Sequence, residues 1–177
     1  MSRHSNTCFL CTKKMKELLR QYAAYNLWAN KILLEKISQV SDGIVHKDMG
    51  SSFGSIYKTV VHLMEVESIW WQRLKLQEHV QVPEKDVEEN FDQLSKKLLA
   101  LSKQWSDWVS DVNENNFTHV FAYYNTKREF FKQPVYEMLL HLFNHQTFHR
   151  GQIITMLRQN AIDKIPPTDF IVFSRKK

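Results

Sequence analysis

Asn144-His145-Gln146-Thr147-Phe148-His149-Arg150-Gly151-Gln152 is the stretch on which both fold and site turn. On a helix, a spacing of four puts His145 and His149 on one face, about 6 Å apart along the axis. Wound further, the same helix aligns Met138, His141, Leu142, His145, His149, Gln152 and Met156 on one stripe. The stripe is otherwise apolar and is expected to face the interior of a helical bundle. Burying several neutral imidazoles costs free energy unless their nitrogens find partners, and a metal ion supplies such partners. His141 and His149 lie about 12 Å apart along the axis, whereas Zn–N bonds are about 2.0–2.1 Å. One ion therefore takes either His141 and His145 or His145 and His149, and spacing leaves both pairs open. Either pair needs a third ligand from a facing helix, for which His62 is the best candidate. Three histidines leave one coordination position open, as in a centre for chemistry rather than a structural clip.

Working outward, apolar positions recur at helical spacing from about residue 14 to 40, and Ser41-Asp42-Gly43 supplies a stop. Ser51 or Ser52 is placed to cap a second helix running to about Gln77. Its arc holds Phe53, Ile56, Val60, Leu63, Met64, Trp71 and Leu74, with His62 near one margin and Glu67 inside it. A connection containing Pro83 leads to a third helix over about 87–112, striped by Phe91, Leu94, Leu98, Leu101, Trp105 and Trp108. Residues 114–133 are rich in aromatic and β-branched residues around Asn125-Thr126-Lys127, which predicts a short hairpin or loop. Pro134 suits the first turn of a fourth helix reaching about Asn160, and Pro166 and Pro167 exclude helix beyond them. Four long amphipathic helices predict an all-α four-helix bundle.

The chain has 177 residues, enough for one domain that buries a core without disulfides. Only four glycines and four prolines argue against a many-stranded β fold. A net charge of +5 is mild, and basic residues are interspersed with acidic ones, so a nucleic-acid partner is not expected. No apolar run reaches the roughly 20 residues that span a bilayer, and no signal-peptide core is present, so the expected location is cytoplasmic. Residues 1–12 are expected to be a flexible leader and 13–177 a single domain. In the leader, His4, Cys8 and Cys11 form at most a weak zinc motif, since Cys-x-x-Cys lacks a second pair.

His62 with Glu67 and Trp70-Trp71, the Asn144–Gln152 stretch, and Asp169-Phe170 together resemble the DinB-like superfamily of metal-binding four-helix proteins. That superfamily includes bacillithiol S-transferases and mycothiol-dependent maleylpyruvate isomerases. The resemblance covers roughly residues 15–173. It implies an up-down-down-up bundle with a long crossover between the second and third long helices, and frequently a homodimer. Carried over by position, it makes His62, His145 and His149 the metal ligands and His141 a neighbour or cavity residue. Two positions depart from the usual pattern: Phe148, where a further histidine is common, and Asn125-Thr126-Lys127, where a glycine is common.

Around this site, Glu67 is read as a solvated carboxylate or as a buried partner for Arg150 or a ligand histidine. Glu65 is read as a solvated surface charge, with a fourth ligand or a general base as the alternatives. Asn144 and Gln152 are placed to orient imidazoles or bind substrate, and Gly151 to let a neighbouring helix approach. The tryptophans are read as core. The function implied by the resemblance is metal-dependent thiol transfer to a small electrophile. It would use Zn²⁺ or Ni²⁺ and a low-molecular-weight thiol, because a coordinated thiol is deprotonated at neutral pH. The rival readings are a metal-dependent hydrolase and a non-catalytic metal-binding or stress-response protein.

Overall fold

Among the described residues, six α-helices and one hairpin follow in chain order: α1 (Phe9–Ile37), α2 (Asp42–His46), α3 (Ile56–Leu74), α4 (Phe91–Asp111), β1 (Val120–Tyr124), β2 (Phe130–Pro134), α5 (Val135–Gln159) and α6 (Phe170–Ser174). They are read from a computed structural model that describes residues 9–77, 80–81, 90–125 and 127–175. Among the described residues, no helix is long and apolar enough to cross a membrane.

The four long helices are α1, α3, α4 and α5. Helix α1 packs on α4 and α5, and so does α3, which leaves α1 and α3 on opposite corners of the bundle. Their directions follow from two apolar clusters. One joins Leu33 and Ile37 of α1 to Ile56 and Val60 of α3, Leu94 and Leu98 of α4, and Ile153 and Met156 of α5. The other joins Leu19 and Ala23 to Trp70, Trp105 and Val109, and to Val135, Met138 and Leu142. The first cluster thus gathers the end of α1, the starts of α3 and α4, and the end of α5; the second gathers the opposite ends. This is the up-down-down-up order. Helix α3 has 19 residues and spans about 28 Å. It ends at one pole of the bundle and α4 begins at the other.

Local chemistry fixes the element boundaries. Helix α3 is capped by Ser55, whose side chain accepts from the Lys58 N–H, and α4 by Asn90, which accepts from Gln93 N–H. The cap expected at Ser51 or Ser52 belongs instead to a tight turn. Met49 N–H donates to Gly54 O at 2.7 Å and Gly54 N–H to Ser51 O at 2.9 Å. Gly54 has φ +81°, a left-handed conformation that costs glycine little and ends any helix extending back from α3. Phe53 consequently lies on this loop rather than on the helical arc.

The predicted excursion before the last long helix is an antiparallel hairpin pairing Val120 with Pro134 and Tyr124 with Phe130. A 3₁₀ turn at Glu114–Thr118 precedes it. Two short helices were not legible. Ser41-Asp42-Gly43, read as a stop, instead opens α2, and α6 forms beyond Pro166 and Pro167, contrary to their reading as the end of all helix. The prolines hold 162–169 out of helix, after which Asp169 starts a new one. Helix α6 is held by aromatic contact: Phe170 packs edge-on to Tyr22 and Tyr25, and Phe173 packs on Tyr25 and Trp28. Helix α1 begins at Phe9, inside the segment expected to be a leader; His4 and Cys8 lie outside the described residues.

Gly151 does not mediate close helix packing. It is exposed on α5, and a Cβ there would meet nothing within 4 Å. Glycine inside a helix costs about 1 kcal/mol relative to alanine. Gly151→Ala is expected to stabilise the protein by up to about that amount. The check is a higher urea midpoint with an unchanged slope; a lower midpoint would assign Gly151 a contact of its own.

Candidate metal centre

Three imidazoles meet between α3 and α5. Nε2 of His145 lies 3.2 Å from Nε2 of His62 and 3.1 Å from Nε2 of His149. Their ligand atoms all fall within 4.8 Å of one another. In a tetrahedral centre with bonds of about 2.0–2.1 Å, ligand nitrogens stand about 3.3 Å apart. The His145 contacts match that separation. They do not make a satisfied hydrogen-bond network. A ring nitrogen carries either one hydrogen or one in-plane lone pair, so His145 Nε2 serves one of its two neighbours and not both. A cation at the common focus serves all three.

The surroundings favour neutral, ligand-competent rings. Gln152 Oε1 lies 2.7 Å from His149 Nδ1. An amide oxygen only accepts, so Nδ1 carries the hydrogen and Nε2 keeps its lone pair toward the focus. Burial, reinforced by the adjacent imidazoles of His149, His62 and His141, pushes the His145 pKa down to about 4. Phe53 stacks on His62 with ring centroids 4.0 Å apart and meets His149 edge-on at 5.4 Å. The Gly54 turn thus lays an apolar cover over one side of the triad. Gln152→Ala is expected to weaken metal binding about 10- to 100-fold, the usual effect of losing such a supporting bond. Competition against a chromogenic chelator measures it; unchanged affinity would show that the Nδ1 bond does not orient the ring.

Beneath the triad lies a buried polar layer that separates the two apolar clusters. Glu67 and Arg150 are both fully buried, and no direct ion pair or hydrogen bond joins them among the described residues. Two asparagines of α1 connect them. Asn26 Nδ2 donates to Glu67 Oε1 at 2.9 Å while its Oδ1 accepts from Arg150 Nη1 at 2.6 Å. Asn30 Oδ1 accepts from the same Nη1 at 2.8 Å, and its Nδ2 donates to Ser102 Oγ at 3.0 Å. Ser102 Oγ lies 2.9 Å from Glu67 Oε2. Arg150 Nη2 donates to Thr147 Oγ1 at 2.8 Å, one turn back on α5. The layer ties α1, α3, α4 and α5 together at the level of His149, next to Arg150 in sequence. Burial pushes the Glu67 pKa up to about 7, against the hydrogen bonds from Asn26 and Ser102 and the charge of Arg150.

The structure therefore brings His62, His145 and His149 together and sets His141 apart. His141 is exposed on α5, edge-on to Trp70 at 5.5 Å, with its ring centroid 5.8 Å from that of His145. Four residues advance a helix by about 400°, so an i, i+4 row drifts by about 40° per step. His149 on that row faces the core, His145 its margin and His141 the solvent. The expectation of an interior stripe fails there for that reason. Glu67 meets Arg150 through amides rather than meeting a ligand histidine. Asn144 is exposed, and no contact joins it to the imidazoles among the described residues. Asn26, Asn30 and Ser102 were missed, although Asn26 and Asn30 at i, i+4 among apolar positions carry the same kind of signal as His145 and His149.

Comparison with known proteins accords with this arrangement. A model of the DinB family matches residues 1–174. Protein DinB of Bacillus subtilis strain 168 is 27 % identical over 155 residues, covering 82 % of this chain and 87 % of the relative. The crystal structure of a DinB-like protein from Bacillus cereus ATCC 10987 superposes with a TM-score of 0.67 at 15 % identity, over 85 % of this chain and 95 % of that one. At that identity the likeness speaks for the fold. With the family model spanning nearly its whole length, the chain belongs to the DinB family.

Proposed function

We propose that the protein is a metal-dependent enzyme that transfers a small thiol to an electrophile, with a divalent ion held by His62, His145 and His149. The observation that carries this reading is the convergence of three imidazoles from two helices, one potential ligand atom from each lying within 4.8 Å of the others. Zn²⁺ and Ni²⁺ both suit imidazole donors. When bound, the ion supplies a Lewis acid that lets a thiol lose its proton at neutral pH. The chain's own residues do the rest. Gln152 fixes the tautomer of His149, and the low proton affinity of His145 keeps that ring neutral through the physiological range. Phe53 shields one side of His62 from water. The amide-linked Glu67–Arg150 layer holds α5 in register with α1 and α3, so that the ligand rings keep their geometry.

The test is consumption of monochlorobimane by purified, zinc- or nickel-loaded protein with a panel of thiols, before and after chelator treatment. The expected result is turnover with at least one thiol that chelation abolishes and metal restores. Turnover that survives complete metal removal would reject the mechanism. Metal binding without turnover for any thiol would favour the non-catalytic reading.

A further inference from the structure

We propose that Arg73 forms an anion subsite beside the histidine triad, built to hold the carboxylate of a small organic ligand whose other end reaches the metal. The proposal rests, for that other end, on the metal centre proposed above. Four observations carry it.

First, Arg73 has no acidic partner among the described residues, although it is partly buried and its Nε is buried without a hydrogen-bond acceptor among them. Guanidinium groups withdrawn from water ordinarily find a carboxylate or carbonyl. Second, it is held in place by rings instead: its Cζ sits 4.7 Å from the centroid of Trp70 and 5.2 Å from that of Tyr123. Such stacking leaves the in-plane N–H donors of the fork free for a planar oxyanion. Third, the Tyr123 hydroxyl is engaged with Gln133 Oε1 at 2.6 Å and does not satisfy the guanidinium. Fourth, ring contacts run without a break from Arg73 through Trp70 and His141 to His145.

Position sets the ligand's length. Arg73 lies about three turns beyond His62 on α3, roughly 16 Å along the axis. Helical side chains lean toward the N-terminus, the long arginine further than the shorter imidazole, which brings the guanidinium back to on the order of 10 Å from the focus of the imidazoles. A ligand of some six to eight bonds between its metal-binding atom and its carboxylate fits that span. His141 packs edge-on to the same Trp70 and adds a polar edge between Arg73 and the triad.

The test compares 6-mercaptohexanoate with 6-mercaptohexanol, which differ in the carboxylate, on cobalt-loaded protein. Binding is read from the thiolate-to-cobalt charge-transfer absorbance. Wild type is expected to bind the acid about 10- to 100-fold more tightly, the range for a charge-assisted contact. Arg73→Gln should reduce that preference to near unity while leaving cobalt affinity and the alcohol's affinity in place. Arg73→Lys, which keeps the charge but not the fork, should retain part of it. Equal binding of acid and alcohol by wild type, or an undiminished preference in Arg73→Gln, would overturn the proposal. If cobalt does not bind, the metal centre itself fails, and Arg73 is then judged by titrating succinate into chelated protein with tryptophan fluorescence as the readout. Saturable quenching in wild type that is lost in Arg73→Gln supports the subsite; no quenching in wild type overturns it.

Discussion

Alanine at His149 is expected to weaken divalent-metal binding by on the order of 100- to 1,000-fold. Structural zinc sites bind with an apparent 10–16 kcal/mol shared among about four ligands, so one ligand is worth roughly 3–4 kcal/mol. His149 is the most deeply buried of the three and the ring that Gln152 fixes. Its loss leaves two donors and an apolar gap beneath Phe53. His62→Ala and His145→Ala should act similarly, because each removes a donor from the same focus. His141→Ala should leave metal content unchanged, since its ring lies outside the converging set. Elemental analysis of purified protein, followed by competition titration, decides the matter. Full metal occupancy in His149→Ala would remove the triad as the site. Loss confined to His141→Ala would move the site one turn along α5.

Replacing Arg150 by methionine is expected to destabilise the protein by about 3–5 kcal/mol, the usual cost of stranding one member of a buried charge arrangement. Asn26 and Asn30 lose the donor that their amide oxygens accept from, and Glu67 loses the buried cation of the layer. The effect should depend on pH in a definite direction. Glu67 titrates in the fold at about 7, above its ordinary value of 4.5. A group with a raised folded pKa contributes stability below its unfolded pKa and loses it as pH rises through the folded value. Arg150 lowers the Glu67 pKa, so its removal raises that pKa further. The gap between wild type and Arg150→Met should therefore be smallest near pH 5, where Glu67 is protonated in both, and widen above pH 7. Adding Glu67→Gln to Arg150→Met should recover part of the loss at high pH, giving a coupling that additive sites would not show. Urea unfolding of chelated protein at several pH values measures all of this. A gap independent of pH would mean that Arg150 acts through its hydrogen bonds alone.

Where the site was legible, the reason is periodicity. His145 and His149 share a helical face by spacing alone, and the need for a ligand from elsewhere follows from the length of a coordination bond. Spacing left His141 and His149 both open, the resemblance to DinB-like proteins pointed to His149, and the physical reason lies in which margin of α5 faces α3. That depends on how far a row spaced by four drifts around the helix before it meets its neighbour. Phe53 illustrates a second limit. Its apolar character suited the arc of α3, but the left-handed Gly54 placed it on a loop, where it covers His62. Arg73 illustrates a third, because nothing about a lone arginine near a helix end announces that two aromatic rings will pack against it.

By itself the sequence determined the class of fold, the four long helices, the hairpin before the last of them, and the three histidines worth considering together. Helical periodicity, capping chemistry and scarce turn residues are local properties, and local properties are written in order along the chain. Only the tertiary structure decided that His62 reaches His145 across more than eighty intervening residues, and that Glu67 and Arg150 communicate through Asn26 and Asn30. Those relations depend on which helices are neighbours and on their rotation about their own axes. Both are set by how the two apolar clusters pack at opposite ends of the bundle.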